Sequence, residues 1–216
     1  MPDASSFASI AQIRIRGGFE LLGQIVRLQV QTAPLKCGEK PHRWYDPAPI
    51  RSLRQIRLDP GGTTGIDDQT GEPVPDVHHA THPLSRFRGI NGVSLGFTSH
   101  YGLMREQFGD HLTDGIAGES ILIATERRIP IDLIDAGLTI MTTTGMIAID
   151  DVRVAAPCVE FSKFALQFAP EQPADTRVTA AIQFLDDGMR GFYGTTGDIT
   201  GDGVISTGDL VYLRES

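Results

Sequence analysis

The sequence predicts a mainly β protein, a barrel with a few short helices. The 216 residues include 24 glycines and 13 prolines, which suit a chain that turns often. Short strand candidates follow one another at close spacing, and helical patterns occur at only two places, which is typical of barrels and sandwiches. The length fits one large domain, so we assign residues 1–18 to an N-terminal extension and residues 19–216 to a single domain.

The first clear strand candidate is 23–31, in which Ile25 and Arg27 alternate with Val26 and Leu28. A period of two is typical of a half-buried strand. Shorter candidates are separated by turn residues and lie at 55–58, 90–97, 121–125, 138–142, 146–149, 152–155, 192–193, 198–200, 204–206 and 210–213. Residues 59–89 are polar and predict a long loop, a feature that is uncommon unless the loop binds something or is disordered.

Two segments have the pattern of a short helix. The first follows Thr98 or Ser99 as its cap, places Tyr101 and Met104 on one face and ends at Gly109. The second covers 176–185 and ends before an Asp-Asp-Gly sequence.

Composition excludes several classes of function. The chain has 27 acidic and 19 basic residues, a formal net charge of −8, and no basic run interleaved with aromatic residues, which argues against nucleic-acid binding. No apolar stretch reaches the roughly 18 residues that a membrane span needs, and no secretory signal is evident. We therefore expect a cytoplasmic protein, with no membrane partner, whose two cysteines, Cys37 and Cys158, are unpaired thiols.

Cys158 is the main candidate for chemistry. It follows Pro157, which cannot donate to a strand ladder, so the thiol is expected near the rim of the sheet. A thiol there can act as a nucleophile, a persulfide carrier or a metal ligand if nearby positive charge lowers its pKa. The alternative is a buried cysteine that packs as a small apolar side chain. Cys37 has no comparable marker.

Two other patterns suggest metal sites without establishing them. His78, His79 and His82 lie close in sequence, but no further ligand completes a set, which favours an exposed polar loop. Residues 198–209 match a calcium loop at five positions, four with side-chain oxygens and one glycine at the sharp turn: Asp198, Thr200, Asp202, Gly203 and Asp209. No second loop or entering helix accompanies them, so calcium binding is not expected and a hairpin turning at 201–203 is favoured.

The order of several short motifs resembles the MOSC family, the domain named for the C-terminal part of molybdenum-cofactor sulfurases. Residues 23–30 resemble the opening strand of the family. The later matches follow in order: Asp76-Val77-His78, Arg88 to Val93, Gly118-Glu119-Ser120, Pro157-Cys158, Arg190 to Tyr193, and a closing hairpin at 204–213. Ser120 stands where the family usually has Asn.

This resemblance implies a MOSC-like β-barrel that binds a molybdopterin-type molybdenum cofactor. Cys158 would be the metal ligand or the sulfur (persulfide) carrier, and the protein would reduce small N-hydroxylated substrates with an external electron donor, or receive sulfur from a donor protein. The cofactor-binding residues that the resemblance implies are Asp76, His78, Arg88, Asn91, Gly118, Glu119 and Arg190. The alternative function is a non-catalytic module that binds a small anion or a protein partner.

Overall fold

The computed structural model describes residues 14–15 and 19–214, so most of the predicted N-terminal extension lies outside the described residues. The described strands are β1 (Arg14–Ile15), β2 (Phe19–Gln31), β3 (Lys36–Cys37), β4 (Trp44–Tyr45), β5 (Ile50–Leu53), β6 (Gln55–Asp59), β7 (Gly62–Ile66), β8 (Pro73–Pro75), β9 (Val93–Phe97), β10 (Ile121–Ala124), β11 (Leu138–Met141), β12 (Met146–Val154), β13 (Phe192–Ile199), β14 (Val204–Ser206) and β15 (Leu210–Arg214). The described helices are α1 (Thr98–Phe108), α2 (Ile131–Ile134), α3 (Val159–Ala165) and α4 (Thr176–Leu185).

Seven strands form a closed barrel in the order β2-β10-β9-β13-β12-β11-β15, and β15 pairs with β2 to complete it. Neighbours are antiparallel except β9 and β10, which are parallel. The prediction of a mainly β, MOSC-like barrel with a few short helices is therefore confirmed.

Strand β2 is longer than predicted and contains a bulge. Arg27 pairs with Leu122 and Ile25 pairs with Ile123, so Val26 is the extra residue between two paired positions. The bulge reverses the alternation of faces, because Ile25 and Leu28 are both buried while Val26 is 45% exposed. A strict period of two could not predict this change.

A four-stranded sheet, β14-β6-β7-β8, packs beside the barrel. Its strands β7 and β8 lie within residues 59–89, so the prediction of one long loop there is wrong. The predicted hairpin at 198–209 is also wrong, because β13 pairs with β12 and β9 whereas β14 pairs with β6. The turn at 201–203 instead carries the chain from the barrel to the second sheet. Strands β14 and β15 do not pair with each other either.

Of the two predicted helices, α4 has the predicted bounds, and its first turn is capped by Asp175, whose side chain accepts a bond from the Arg177 amide. Helix α1 ends at Gly109 as predicted, but Phe97 precedes it and no side chain caps it. Its Thr98 and Ser99 hydroxyls bond instead to the 125–127 segment. Helices α2 and α3 were not predicted. In the part of the chain that the structure describes, no helix is long and apolar enough to cross a membrane.

Two apolar clusters stabilise the fold. One fills the barrel and includes Phe97, Ile121 and Phe192. The other lies between the barrel and the helices and includes Tyr101, Phe161 and Leu185. The candidate site lies where the two clusters meet, at one end of the barrel.

Candidate functional site

A small open pocket lies at the end of the barrel where β9, β10 and β13 meet. The space that its walls enclose is about 10 Å³, close to the least that holds one water molecule. Its walls come from β2, β9, β13 and the loops that precede β10 and β13; the lining residues are Gln31, Ser94, Ala117, Gly118, Glu119, Ala155, Arg190, Phe192 and Tyr193. The structure thus brings together three residues that the sequence predicted for a site: Gly118, Glu119 and Arg190.

Arg190 is the cation of the pocket. Its Nη2 donates a hydrogen bond of 3.2 Å to the Ala117 carbonyl, and its guanidinium carbon lies 5.3 Å from the centre of the Phe161 ring. Its Nε is buried and has no hydrogen-bond partner among the described residues. Burial alone would lower the pKa of Arg190, but negative charge on its neighbours raises it; these neighbours are Tyr193, Tyr45, Cys158 and Glu119.

Cys158 packs against the cluster that contains Phe161, the ring over which Arg190 lies. Strand β12 ends at Val154, and Cys158 follows in extended backbone directly before α3. Its carbonyl accepts bonds from the amide (3.0 Å) and hydroxyl (2.9 Å) of Ser162, which fixes the start of the helix. The thiol is partly exposed, packs against the helix-side cluster and contributes to the raised pKa of Arg190.

Glu119 is a buried carboxyl group in the same pocket. The Tyr101 hydroxyl donates a bond of 2.7 Å to its Oε2 and accepts one of 3.0 Å from the Ala117 amide. Burial raises the pKa of Glu119 to about 7, against the Tyr101 hydrogen bond and the charge of Arg190, which lower it. The pocket therefore contains a group that exchanges a proton near neutral pH.

Asp76 and His78 support the pocket wall. The Gln31 amide donates 2.7 Å to Asp76 Oδ2, and both the amide and the ring Nδ1 of His78 lie 2.8 Å from Oδ1. The His78 ring lies against Tyr193, with 6.4 Å between ring centres. Since Gln31 and Tyr193 both line the pocket, the Asp-x-His element holds its edge in place.

Gly118 is required by the geometry of the backbone. Its φ is +91°, and a Cβ there would lie 2.6 Å from the Leu35 side chain and 2.7 Å from the side-chain amide nitrogen of Gln31. The Gly118 amide already donates to Gly115, and its carbonyl accepts from Gln31 Nε2 at 2.7 Å. Gly118 therefore gives shape to the wall and does not offer an amide to a ligand.

The serine that replaces the usual Asn of the family joins two barrel strands. The Ser120 hydroxyl accepts from the Ser94 amide at 3.0 Å, and the Ser94 hydroxyl accepts from the Ser120 amide at 2.9 Å. These two bonds connect the starts of the parallel strands β9 and β10 behind the pocket. The substitution thus retains a structural role.

Arg88 and Asn91 do not line the pocket. Asn91 Oδ1 accepts a bond of 3.2 Å from the Arg88 amide and so holds a turn, and the Arg88 side chain is exposed. The histidines also have separate partners: His79 contacts Thr81 and Asp59, whereas His82 accepts from the Leu84 amide.

The residues that match a calcium loop make hydrogen bonds that hold turns. Asp202 accepts from Thr144 (2.8 Å) and the Val204 amide (3.1 Å), and Asp209 accepts from the Ser206 amide at 2.8 Å.

Sequence reasoning missed Tyr101, Gln31 and Tyr193 as parts of the site. Tyr101 was predicted only as an apolar face of α1, and Gln31 only as the end of a strand. A polar side chain at the end of a buried strand is a signal that could have identified Gln31, because a buried amide needs partners.

The residues present fit one end of an anionic cofactor. The buried Nε of Arg190 has no partner among the described residues, and the free thiol of Cys158, a soft donor, packs against the same Phe161 cluster. Among the described residues, no three His, Cys, Asp or Glu side chains form a metal-binding group, so a metal at Cys158 would need ligands from its cofactor. The enclosed volume of about 10 Å³ is far below the about 300–1,000 Å³ of typical ligand sites, so the pocket would have to open before it could hold any part of a pterin cofactor.

No protein-family model matches the sequence, and no curated protein matches it. Solved structures do resemble it. The YuaD protein from Bacillus subtilis is 12% identical, covers 92% of this chain and 96% of its own, and has a TM-score of 0.53. A hypothetical protein is 11% identical over 91% of this chain and 70% of its own, with a TM-score of 0.52. At such low identity the similarity concerns the fold alone.

Proposed function

We propose that this MOSC-like barrel binds a molybdopterin-type cofactor through Arg190, with Cys158 as the metal ligand or as a sulfur carrier. The observation that supports this proposal is the buried Nε of Arg190, which lacks a partner among the described residues. Arg190 lies over the Phe161 ring, and Cys158 packs against the cluster that contains Phe161. A buried guanidinium donor without a partner is costly, and an anionic group compensates it well.

The side chains of the pocket have separate tasks in this proposal. Arg190 binds the anionic group, and its contact with Phe161 fixes the guanidinium plane. Tyr101 holds Glu119 in place, and Glu119 keeps a proton available at neutral pH. Cys158 supplies sulfur, either to a metal or as a persulfide whose negative charge Arg190 stabilises.

When bound, such a cofactor supplies a metal that exchanges electrons with a substrate. With an external two-electron donor, the proposed reaction converts an N-hydroxylated compound, two electrons and two protons into the corresponding N–H compound and water. The proposal assigns the electrons to an external donor, since the two cysteines of this sequence are too few to hold an iron–sulfur cluster.

The test is to express the protein in a host that makes the cofactor and to measure molybdenum per chain and persulfide at Cys158. The variants are Cys158→Ser, Arg190→Gln and, as a matched control, Cys37→Ser. Molybdenum that is retained in wild type and Cys37→Ser but lost in the other two supports the ligand role. Persulfide without molybdenum, lost only with Cys158, supports sulfur transfer. Neither signal in the wild type contradicts both roles.

The unpartnered Nε of Arg190 also suits a second candidate, a binding module for a small anion, which would need less opening of the pocket than a pterin cofactor. In that case a tetrahedral oxyanion would occupy the Arg190 site, and Cys158 would be dispensable. Sulfate should then raise the melting temperature of wild type and Cys158→Ser equally, because a ligand that binds only the native state stabilises it. Arg190→Gln should show no such increase.

A further inference from the structure

The pocket contains a cation and a carboxyl group that do not form an ion pair. Arg190 bonds to the Ala117 carbonyl, whereas Glu119 Oε2 accepts from Tyr101. Both side chains line the same small space. In the part of the chain that the structure describes, neither group neutralises the other by direct contact, so the charge of the pocket depends on whether Glu119 carries a proton.

Glu119 cannot move away from the pocket. A Cβ on Gly96 would lie 3.0 Å from its carboxyl carbon, and a Cβ on Gly191 would lie 3.2 Å from its Oε1. The two glycines therefore leave just enough room for the carboxyl group on two sides, and the 2.7 Å bond from Tyr101 holds it on a third. Its charge, when present, stays at a fixed place near the Arg190 guanidinium.

An anion that enters the pocket meets these two groups together. It is attracted by Arg190 and, where Glu119 is ionised, repelled by a second negative charge in a poorly solvated space. Protonation of Glu119 removes this repulsion. Since burial raises the pKa of Glu119 to about 7, both forms occur near neutral pH.

We infer that Glu119 takes up a proton when an anion binds to Arg190, and so selects the total charge that the pocket accepts. This inference rests on the proposed anion-binding function and adds its proton linkage. When the carboxyl group is neutral, the bound anion is the group that balances the positive charge of Arg190. If only the protonated pocket is competent, the apparent dissociation constant rises about fivefold from pH 7 to pH 8.

Other titratable groups face this pair from the surrounding elements. Tyr101 on α1 and Asp114 before β10 face Glu119, and Asp114 is paired with Arg105 at 2.6 Å. Burial raises the pKa values of Tyr101 and Tyr45 above their ordinary range, so both remain neutral here.

Three further groups lie near Arg190 or the edge of the pocket. Cys158 and Tyr193 face Arg190, and His78 lies at the edge against Tyr193. Cys158 and His78 are the other titratable side chains at this end of the barrel that the control variants replace.

The experiment is calorimetric titration of the protein with sulfate at pH 7.5 in two buffers of different ionisation enthalpy. Sulfate does not itself titrate in this range, so the difference in heat gives the protons taken up by the protein. We expect uptake of up to about one proton per sulfate in the wild type. Glu119→Gln should bind sulfate without proton uptake, because its neutral amide keeps the geometry and removes the titration.

Control variants show which residue takes up the proton and whether sulfate binds at Arg190. Proton uptake that persists in Cys158→Ser and His78→Asn, with binding lost in Arg190→Gln, supports the inference. Uptake that is lost in Cys158→Ser or His78→Asn assigns the proton to that residue and overturns the inference, as does binding without uptake in the wild type. No binding of sulfate by the wild type, measured also as an unchanged melting temperature, contradicts the anion site itself.

Discussion

The Tyr101 hydroxyl donates a 2.7 Å hydrogen bond to Glu119 Oε2 and thereby connects helix α1 to the carboxyl group of the pocket. The same hydroxyl accepts the Ala117 amide at 3.0 Å, so one oxygen supports two consecutive parts of the wall. Both residues are buried, and solvent cannot replace either bond at low cost.

Tyr101→Phe should lower the free energy of unfolding by about 1–3 kcal/mol, because it leaves the buried Ala117 amide and the Glu119 carboxyl without this partner. Urea denaturation measures the change. Tyr212→Phe is a matched control, since Tyr212 is 5% exposed and its hydroxyl has no hydrogen bond within the described residues. Equal losses in the two variants would show that the hydroxyl of Tyr101 has no special role.

Glu119 should make the protein less stable as pH rises from about 4.5 to about 7. Burial holds its pKa in the native state at about 7, against 4.5 for an ordinary glutamate. The native state therefore binds more protons than the unfolded state in this window, so the free energy of unfolding falls with rising pH by roughly 3 kcal/mol at most. Denaturation of wild type and Glu119→Gln across this range measures the effect, which should vanish in the variant; parallel curves would contradict it.

His100 should make the protein less stable as pH falls, the opposite of the effect of Glu119. Burial lowers the pKa of its imidazole to about 4, its Nδ1 lies 3.1 Å from the Gly188 carbonyl, and its Nε2 accepts the Ile129 amide at 2.9 Å. The native state binds fewer protons than the unfolded state between about pH 4 and pH 6.5. The stability that neutral His100 provides is therefore lost as pH falls through this window.

The variant His100→Phe removes this titration together with both hydrogen bonds. At pH 7 it should cost about 2–5 kcal/mol, because it leaves the Ile129 amide and the Gly188 carbonyl buried and unpaired. The difference in stability from the wild type should narrow as pH falls from 6.5 to 4, as chemical denaturation at several pH values would measure. A difference that stays constant would mean that His100 is already protonated in the native state.

Asp76→Asn should loosen residues 77–92. The carboxylate of Asp76 accepts the Gln31 and His78 amides on separate oxygens, and an amide side chain has only one oxygen to offer. We expect a loss of about 1–3 kcal/mol and faster hydrogen exchange in this segment than in the barrel strands. Asp110→Asn, a change at an exposed aspartate, is the control; unchanged exchange in Asp76→Asn would contradict the supporting role of the carboxylate.

The sequence predicted those elements whose pattern is local. Helix α4 was predicted with its bounds because an Asp-Asp-Gly sequence follows its end; the cap at its start, Asp175, is seen only in the structure. Helix α3 was missed because its seven residues are too short for a periodic pattern. Packing of Phe161 against Tyr45, with ring centres 5.0 Å apart, and the ion pair between Arg43 and Glu160 support it. Both partners are distant in sequence.

Three residues of the pocket, Gly118, Glu119 and Arg190, were named from the sequence, but their connections were not. Motif order identified Cys158, Glu119 and Arg190 as members of one site. The partnership of Glu119 with Tyr101 joins a loop to a helix face and depends on the tertiary fold. The false hairpin at 198–209 has the same origin, since its turn is encoded locally while the pairing partner of β14 lies at Gln55–Arg57.

The closure of the barrel between β2 and β15 has a consequence for the folding rate. Glu20 pairs with Leu213, so the first and last strands of the barrel meet across nearly the whole chain. Contacts of such high sequence separation are slow to form, because the entropy of closing a long loop is lost before the contacts compensate it. During synthesis the barrel cannot close until residues 210–214 have left the ribosome, and until then β2 and β11 each present an unpaired edge that a chaperone or a neighbouring chain can bind.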